Sequence, residues 1–138
     1  MTNNNNYILK PIGFIHSSIK KIADAPLFYN EDAPEVTLEV LSEFADALHL
    51  LKAGNEIIVI TWLHLGDRST LQVHPRGNKV NPLTGVFATR SPDRPNPLGL
   101  HRARILKINE LQLTLDAMEA IDQTPVVDIK PVVGTGDE

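Results

Sequence analysis

The sequence predicts a mainly β protein, a small barrel or sandwich of short strands with one principal helix. Three observations indicate this fold class. Short apolar segments recur along the 138 residues, turn residues separate them, and only one segment has helical spacing. A chain of this length is expected to form a single domain, here residues 1–138.

Three strands are predicted in the first half of the chain. Residues 7–17 supply several apolar positions, although Pro11 and Gly13 indicate an edge strand or a kink. Residues 35–40 alternate between apolar and polar side chains. Residues 56–65 form a nearly continuous apolar run rich in β-branched residues, which is typical of a buried strand.

The principal helix is predicted between the second and third of these strands. Its apolar residues fall at helical spacing: Leu41, Phe44, Leu48 and Leu51. Ser42 is a plausible N-cap, acidic residues follow in the first turn, and Gly54 is a suitable stop. The apolar stripe is interpreted as a face that packs on the core.

The second half of the chain is predicted to be all β. Residues 70–74 and 86–89 are interpreted as short strands, and residues 126–129 as the last strand. Residues 100–108 and 111–115 alternate on either side of a turn, which predicts a β-hairpin. No strand is followed by GxGxxG and a helix, so the sequence predicts no Rossmann cofactor site.

The composition, with 42% hydrophobic and 22% charged residues, is ordinary for a globular protein. No apolar run approaches the length of a membrane span. Residues 1–6 lack the pattern of a signal peptide, and we expect them to be disordered. The absence of cysteine excludes disulfides and cysteine nucleophiles, and a cytoplasmic location is expected.

The net charge of −4 hides an uneven distribution. Residues 62–107 contain eight Lys or Arg and two acidic residues, which gives +6 locally. Such asymmetry can place a basic face for nucleic acid on an acidic protein. Basic strand ends and solvated loops explain it equally well, and no basic stretch rich in base-stacking aromatic residues is present.

The most constrained stretch is residues 85–106, GVFATRSPDRPNPLGLHRARIL. Pro92, Pro95 and Pro97 each fix their own φ and push the preceding residue toward an extended conformation. The polar residues around them are Arg90, Ser91, Asp93, Arg94 and Asn96. A stiff loop of this kind either holds a polar ligand at low entropic cost or is a rigid crossover between two strands.

Other catalytic chemistries find little support in the sequence. The five histidines include no HxH or HExxH spacing, so a metal site is not predicted. Ser91 lacks a GxSxG elbow, which argues against a Ser-His-Asp hydrolase. On residue type alone, Asp122 is a turn residue, and Asp128 with Lys130 is a surface ion pair that contributes little to stability.

The segment ATRSPDRPNPLGL (88–100) closely resembles the signature of the TsaA-like family of S-adenosylmethionine-dependent tRNA methyltransferases, often called TrmO. Further segments resemble the family in the expected order: PIGFIHS (11–17), LSEFADALHLL (41–51), ITWLH (60–64), HPRGN (74–78) and DAMEAIDQTPVVDIKP (116–131). The resemblance implies a small β-barrel that binds its cofactor without a Rossmann sheet.

The resemblance also implies a site for S-adenosyl-L-methionine formed by two segments. The first contributes Arg90, Ser91, Pro92, Arg94, Asn96, Leu100 and His101. The second contributes Asp122, Thr124, Pro125, Asp128 and Lys130. His101 or Asp128 is a candidate proton acceptor. Gln123 stands where the family usually has glycine, and the loop 18–34 is expected near the ligand.

The activity that the resemblance implies is N6-methylation of threonylcarbamoyladenosine beside the anticodon of a tRNA. A homodimer with the site near the subunit boundary is expected, without membrane or metal. Two alternatives stay open: the same cofactor with a small-molecule or other RNA acceptor, and a non-catalytic RNA-binding module. In methyl transfer the cofactor carries the reactive group, so the protein chiefly supplies orientation.

Overall fold

The computed structural model of the protein describes residues 6–20 and 33–134. The strands within these ranges are β1 (Gly13–His16), β2 (Val36–Val40), β3 (Glu56–Trp62), β4 (Gln72–Val73), β5 (Thr84–Gly85), β6 (Leu98–Asn109), β7 (Gln112–Leu115) and β8 (Pro125–Pro131). In the described residues, three short 3₁₀ helices lie between these strands: Ser42–Leu48, Pro75–Gly77 and Val86–Ala88.

Six strands close into a barrel in the order β1-β2-β7-β6-β3-β8, and every neighbouring pair is antiparallel. Closure leaves no free sheet edge in the barrel. β4 and β5 form a separate two-stranded ribbon within the connection between β3 and β6. The prediction of a mainly β barrel with one principal helical segment is confirmed.

β6 is the longest strand, and it joins the two halves of the barrel. Its first half pairs with β3, and its second half pairs with β7 after a shift in register between Ile105 and Lys107. Alternate residues of its first half point into the barrel, and these are Gly99, His101, Ala103 and Ile105. The predicted hairpin of β6 and β7 is confirmed.

The interior of the barrel is filled by aliphatic side chains and one methionine. The core residues are Ile15, Val36, Leu38, Val40, Ile57, Val59, Ala103, Ile105, Leu113, Leu115, Met118, Ala120 and Val126. Most alternate with outward-facing residues along their strands, which is the period of two that the sequence pattern showed. Burial of this apolar surface is the main favourable term for folding.

The predicted helix forms at the expected place, but as a 3₁₀ helix. Its N-cap is Leu41, which makes no side-chain capping bond, so the predicted Ser42 cap is wrong. Phe44 has φ −108°, which interrupts the helix after its first turn. Phe44, Leu48 and Leu51 nevertheless pack against the core, as the apolar stripe indicated.

Two predicted strands differ from the structure. The strand predicted over 86–89 is wrong: Val86–Ala88 is a 3₁₀ turn, because both the amide and the hydroxyl of Thr89 donate to the carbonyl of Val86. The strand predicted over 7–17 is limited to Gly13–His16. Pro11 has no N–H to donate, and the residues before it are exposed.

Two further expectations concern the N-terminus and membrane-spanning helices. The predicted disorder of residues 1–6 falls on residues outside the described ranges, apart from Asn6, which is exposed. Among residues 6–20 and 33–134, no helix is long and apolar enough to cross a membrane.

Candidate functional site

The candidate site lies at one end of the barrel. The antiparallel pairing brings the C-terminal end of β3 beside the N-terminal ends of β6 and β8, because Trp62 pairs with Leu98 and Thr61 pairs with Val126. The segment 63–97, which contains the proline loop, leaves and re-enters the barrel at this end. The segment 116–124, which joins β7 to β8, also reaches β8 here. The two segments that the resemblance assigns to the cofactor site therefore meet at the same end of the barrel.

The proline loop is braced from within. The Arg94 guanidinium donates from Nη1 to the carbonyl oxygens of Thr89 at 2.9 Å and Ser91 at 3.1 Å. The Ser91 hydroxyl accepts from the amide of Asp93 at 3.1 Å, and the Thr89 hydroxyl accepts from the amide of Ser91 at 3.2 Å. Arg94, expected to position a ligand, thus fixes the shape of the loop.

A second segment, residues 66–68, holds the loop from outside. Arg68 donates from Nε to the carbonyl oxygen of Pro95 at 2.7 Å and from Nη2 to Oδ1 of Asn96 at 3.2 Å. Its guanidinium carbon lies 5.1 Å from the ring centroid of Trp62, within cation–π range. The Asp67 amide donates to the Asp93 carboxylate at 2.9 Å. The loop polar groups are therefore largely engaged with protein partners.

Arg90 differs from the other polar residues of the loop. It is exposed, and its guanidinium makes no hydrogen bond to the described residues. Of the two predicted loop arginines, Arg94 is thus structural in its contacts, while Arg90 presents its charge to solvent.

A buried hydrogen-bonded chain closes the barrel interior at this end. The His101 ring is 5% exposed, and its Nε2 lies 2.7 Å from Oγ1 of the fully buried Thr61. Its Nδ1 lies 2.9 Å from Oε1 of Glu119. The other carboxylate oxygen of Glu119, Oε2, is buried without a hydrogen-bond partner among the described residues.

The absence of a side chain at Gly99 leaves room for the contact between Thr61 and His101. A Cβ at position 99 would lie 2.5 Å from Oγ1 of Thr61 and 2.8 Å from Nε2 of His101. Contacts that short do not occur between such atoms, so a side chain here would displace the pair. Glycine directly after the proline loop is therefore required by packing.

Opposing effects set the charge state of the Glu119 carboxyl. Burial raises its pKa, whereas the hydrogen bond and charge of His101, a backbone hydrogen bond at Glu119 itself and the charge of Arg90 lower it. The net result is a pKa below the ordinary value for glutamate, so the carboxyl is ionised at neutral pH. The charge of Arg90 lowers the pKa of Glu119, so the proline loop is coupled electrostatically to the buried hydrogen-bonded chain.

Residues 122–124, within the segment 116–131 that resembles the family, bond to β1 and to the residues that follow it. The Asp122 carboxylate accepts from the Ser17 amide at 2.8 Å and lies 2.9 Å from Nζ of Lys20. The hydrogen bond from Lys20, followed by that from Ser17, lowers the pKa of Asp122. The buried Thr124 hydroxyl donates to the carbonyl of Ile121 at 2.6 Å. An open depression of about 440 Å³ lies beside Asp122.

Gln123 occupies a position that favours glycine. Its φ is 70°, in the left-handed region where a side chain is strained. This explains physically why a glycine suits the position. In this chain the Gln123 amide lies 3.1 Å from Nδ1 of His16, a contact that glycine would lack.

Three further predicted residues, Leu100, Asp128 and Lys130, lie on the outer face of the barrel wall. Leu100 and Asp128 both pair with Ile60, from opposite sides, so the three form one row across β6, β3 and β8. Asp128 forms a half-exposed ion pair with Lys130 at 3.2 Å. The two candidate proton acceptors, His101 and Asp128, are thus on opposite faces of the wall.

Sequence reasoning missed Thr61 and Glu119. The available signal was the alternation of β6, which places His101 on the same face as Ala103 and Ile105. A histidine in an otherwise apolar row needs buried polar partners. The partner residues could not be identified, since the register between β3 and β6 and the path of 116–124 are long-range features. In the described residues, no group of three His, Asp or Glu could hold a metal ion.

Comparisons with known proteins place the chain in a family. The model of the tRNA-methyltransferase O N-terminal domain matches residues 14–138. The chain is 42% identical over 128 residues to a probable S-adenosyl-L-methionine-binding protein of Methanocaldococcus jannaschii, covering 90% of each. It is 39% identical over 123 residues to an S-adenosyl-L-methionine-binding protein of Archaeoglobus fulgidus, covering 89% of this chain and 87% of that protein.

A solved structure agrees with this assignment. The crystal structure of TrmO from Pseudomonas aeruginosa superposes with a TM-score of 0.73 at 30% identity, covering 96% of this chain. The chain spans 58% of the length of that protein. The closed barrel without a Rossmann sheet defines a non-Rossmann methyltransferase fold. The chain belongs to the tRNA-methyltransferase O N-terminal domain family.

The close approach at Gly99 generates a stability prediction. Gly99→Ala is expected to lower the free energy of unfolding by about 1–3 kcal/mol, because the added methyl displaces Thr61 and His101. Gly85→Ala is the matched control, since a Cβ there meets nothing within 4 Å. Denaturant unfolding of both variants measures the difference. Equal, small losses would contradict the required close approach.

Proposed function

We propose that this protein is an S-adenosyl-L-methionine-dependent methyltransferase whose acceptor is N6 of threonylcarbamoyladenosine beside the anticodon of a tRNA. The observation that carries the proposal is the match of residues 14–138 to the tRNA-methyltransferase O N-terminal domain. The relatives named as S-adenosyl-L-methionine-binding proteins support the choice of cofactor. A tRNA substrate agrees with the expected cytoplasmic location.

The residues at the barrel end suit such a cofactor. S-adenosyl-L-methionine supplies an electrophilic methyl group together with hydroxyl, amine and carboxylate groups to be recognised. Arg90 offers an exposed cation for the carboxylate of the cofactor. The braced proline loop holds its backbone in one shape, so little conformational entropy is lost on binding.

A tRNA acceptor is supported by the charge of the segment between β3 and β6. Residues 63–97 contain five Lys or Arg and two acids. Asp67 accepts bonds from Ser69, and Asp93 accepts from the Asp67 amide, so both carboxylates already have partners within the segment. Phosphate groups are the natural partners of a basic segment arranged in this way.

An exposed aromatic ring lies beside this charge. Phe87 is 82% exposed, three residues before Arg90. The turn that carries it is fixed, because the buried Val86 donates its amide to Leu71 at 3.0 Å and accepts from Thr89. An exposed ring on a fixed backbone turn, three residues from a cation in the sequence, is suited to stack on a nucleobase. The sequence pattern did not reveal this ring as a candidate.

The proposal includes a homodimer with the site near the subunit boundary. The outer face of the barrel at the site end carries apolar residues, of which Leu98 is 44% and Leu100 46% exposed. They pair with Trp62 and Ile60 of β3, which makes a continuous apolar surface beside the proline loop. A second copy of the chain would bury this surface.

The dimer is tested by the mass of the protein in solution. Multi-angle light scattering is expected to give twice the chain mass, and Leu100→Glu is expected to shift the protein toward the monomer. Leu106→Glu is the matched control, because Leu106 is also 44% exposed but lies farther along β6, away from the site end. A wild-type monomer would remove the dimer from the proposal.

Cofactor binding is the primary test of the proposed function. Calorimetric titration is expected to give one S-adenosyl-L-methionine site per chain. Arg94→Ala is expected to weaken binding about tenfold, because the loop loses the bonds that preorganise it. Arg104→Ala is the matched control, since Arg104 also bonds a carbonyl, that of Gly54, away from the loop.

The outcome separates the alternatives. No binding of S-adenosyl-L-methionine or S-adenosylhomocysteine by the wild type would contradict the methyltransferase. RNA binding with a steep salt dependence in that case would indicate the non-catalytic RNA-binding module.

The tRNA acceptor generates a second binding prediction. Phe87→Ala is expected to weaken tRNA binding about fivefold to 100-fold through loss of stacking, with S-adenosyl-L-methionine affinity unchanged. Tyr7→Ala, at an aromatic residue 85% exposed and upstream of β1, is the matched control. Filter binding at fixed salt measures both. Methyl transfer to small molecules without tRNA affinity would favour the alternative acceptor.

A further inference from the structure

We propose that Glu119 is the residue that accepts the proton of the nitrogen being methylated, and that His101 and Thr61 orient it for this role. The inference rests on the proposed function and adds the catalytic residue that the sequence left open. It assigns the role to neither of the two candidates expected from the sequence.

The geometry leaves one oxygen of Glu119 available. Oε1 lies 2.9 Å from Nδ1 of His101, whereas Oε2 has no partner in the described part of the chain. A buried acceptor without a donor costs free energy and calls for an explanation. An N–H group of a bound acceptor would supply the missing donor.

The position of the carboxylate is fixed from both sides. The flanking residues Met118 and Ala120 are 0% and 2% exposed, so they anchor the segment in the barrel end. His101 is anchored in turn by its contact with Thr61 at 2.7 Å. The Glu119 side chain itself is 22% exposed, so the carboxylate lies just beneath the surface.

The hydrogen-bond roles follow from the partners. With Nδ1 donating to the carboxylate, the imidazole holds Oε1 in place, and its Nε2 has the Thr61 hydroxyl as its own partner. Glu119 in this arrangement is ionised and has lone pairs free on Oε2.

The step is a displacement at the methyl carbon. The acceptor nitrogen forms the new N–C bond, the C–S bond breaks, and its electron pair stays on sulfur, which gives neutral S-adenosylhomocysteine. The N–H bond of the acceptor breaks, its electron pair stays on nitrogen, and the proton moves to Oε2 of Glu119. The proton then leaves to solvent, so the carboxylate is restored.

The two earlier candidates suit this role less well. Asp128 is on the outer face and its carboxylate is paired with Lys130 at 3.2 Å. His101 is 5% exposed and both of its ring nitrogens have partners. Glu119 alone of the three combines an ionised group with an unpartnered atom.

The first experiment is single-turnover methyl transfer to tRNA by Glu119→Gln at saturating cofactor. The rate is expected to fall at least about 100-fold, within the range of general-base contributions, with cofactor affinity by calorimetry unchanged. Glu39→Gln is the matched control, because Glu39 forms an equivalent carboxylate–histidine contact with His16 at 2.7 Å outside this site. Its rate is expected to match the wild type.

The second experiment follows the pH dependence. Because the pKa of Glu119 is lowered, the wild-type rate is expected to fall only below the ordinary titration range of glutamate. His101→Asn removes the bond and charge that lower this pKa and leaves the burial that raises it, so the acid limb shifts to higher pH. A ¹³C NMR titration of the Glu119 carboxyl is expected to show the same shift without any ligand.

The results separate this inference from the proposed function. A wild-type protein that transfers no methyl group overturns the proposed function. An active wild type with a Glu119→Gln rate within threefold overturns the role of Glu119 alone. If circular dichroism shows that Glu119→Gln is unfolded, the His101→Asn pH profile decides, and an unshifted acid limb overturns the inference.

Discussion

The chain of contacts from Thr61 through His101 to Glu119 is the interaction on which the barrel end depends. It places Thr61 and His101 inside an aliphatic core and Glu119 at its edge, where burial makes an unpaired polar group costly. It also links β3, β6 and the segment 116–124, which are distant in sequence. Gly99 leaves the space that lets the first two approach.

Much of the fold follows from local sequence pattern, and the exceptions have physical causes. The β6–β7 hairpin was predictable because both strands alternate and the turn between them is short. The turn at Val86–Ala88 was not, because Thr89 bonds back to Val86 in competition with an extended conformation. The helical segment was placed correctly, whereas its apolar spacing predicted no break at Phe44, whose side chain packs against the core.

The site residues, like the fold, were predictable from the sequence only in part. The proline loop is conspicuous in the sequence, yet residue type could not distinguish Arg94, which braces the loop, from the exposed Arg90. That distinction depends on where each guanidinium finds carbonyl oxygens. Glu119 carries no local signal, since its role comes from the path of the segment 116–124, which brings its carboxylate to His101. Long-range pairing, and not composition, gives these residues their roles.

The connection between β3 and β6 has an evolutionary consequence. The segment 63–97 starts and ends at two residues, Trp62 and Leu98, that are already paired in the barrel, and it contains its own small ribbon and internal braces. Its length can therefore change without altering the register of the six barrel strands. Such an insertion behaves as an exchangeable module: a lineage could acquire a new substrate preference by replacing it, while the barrel and its buried polar chain are inherited intact.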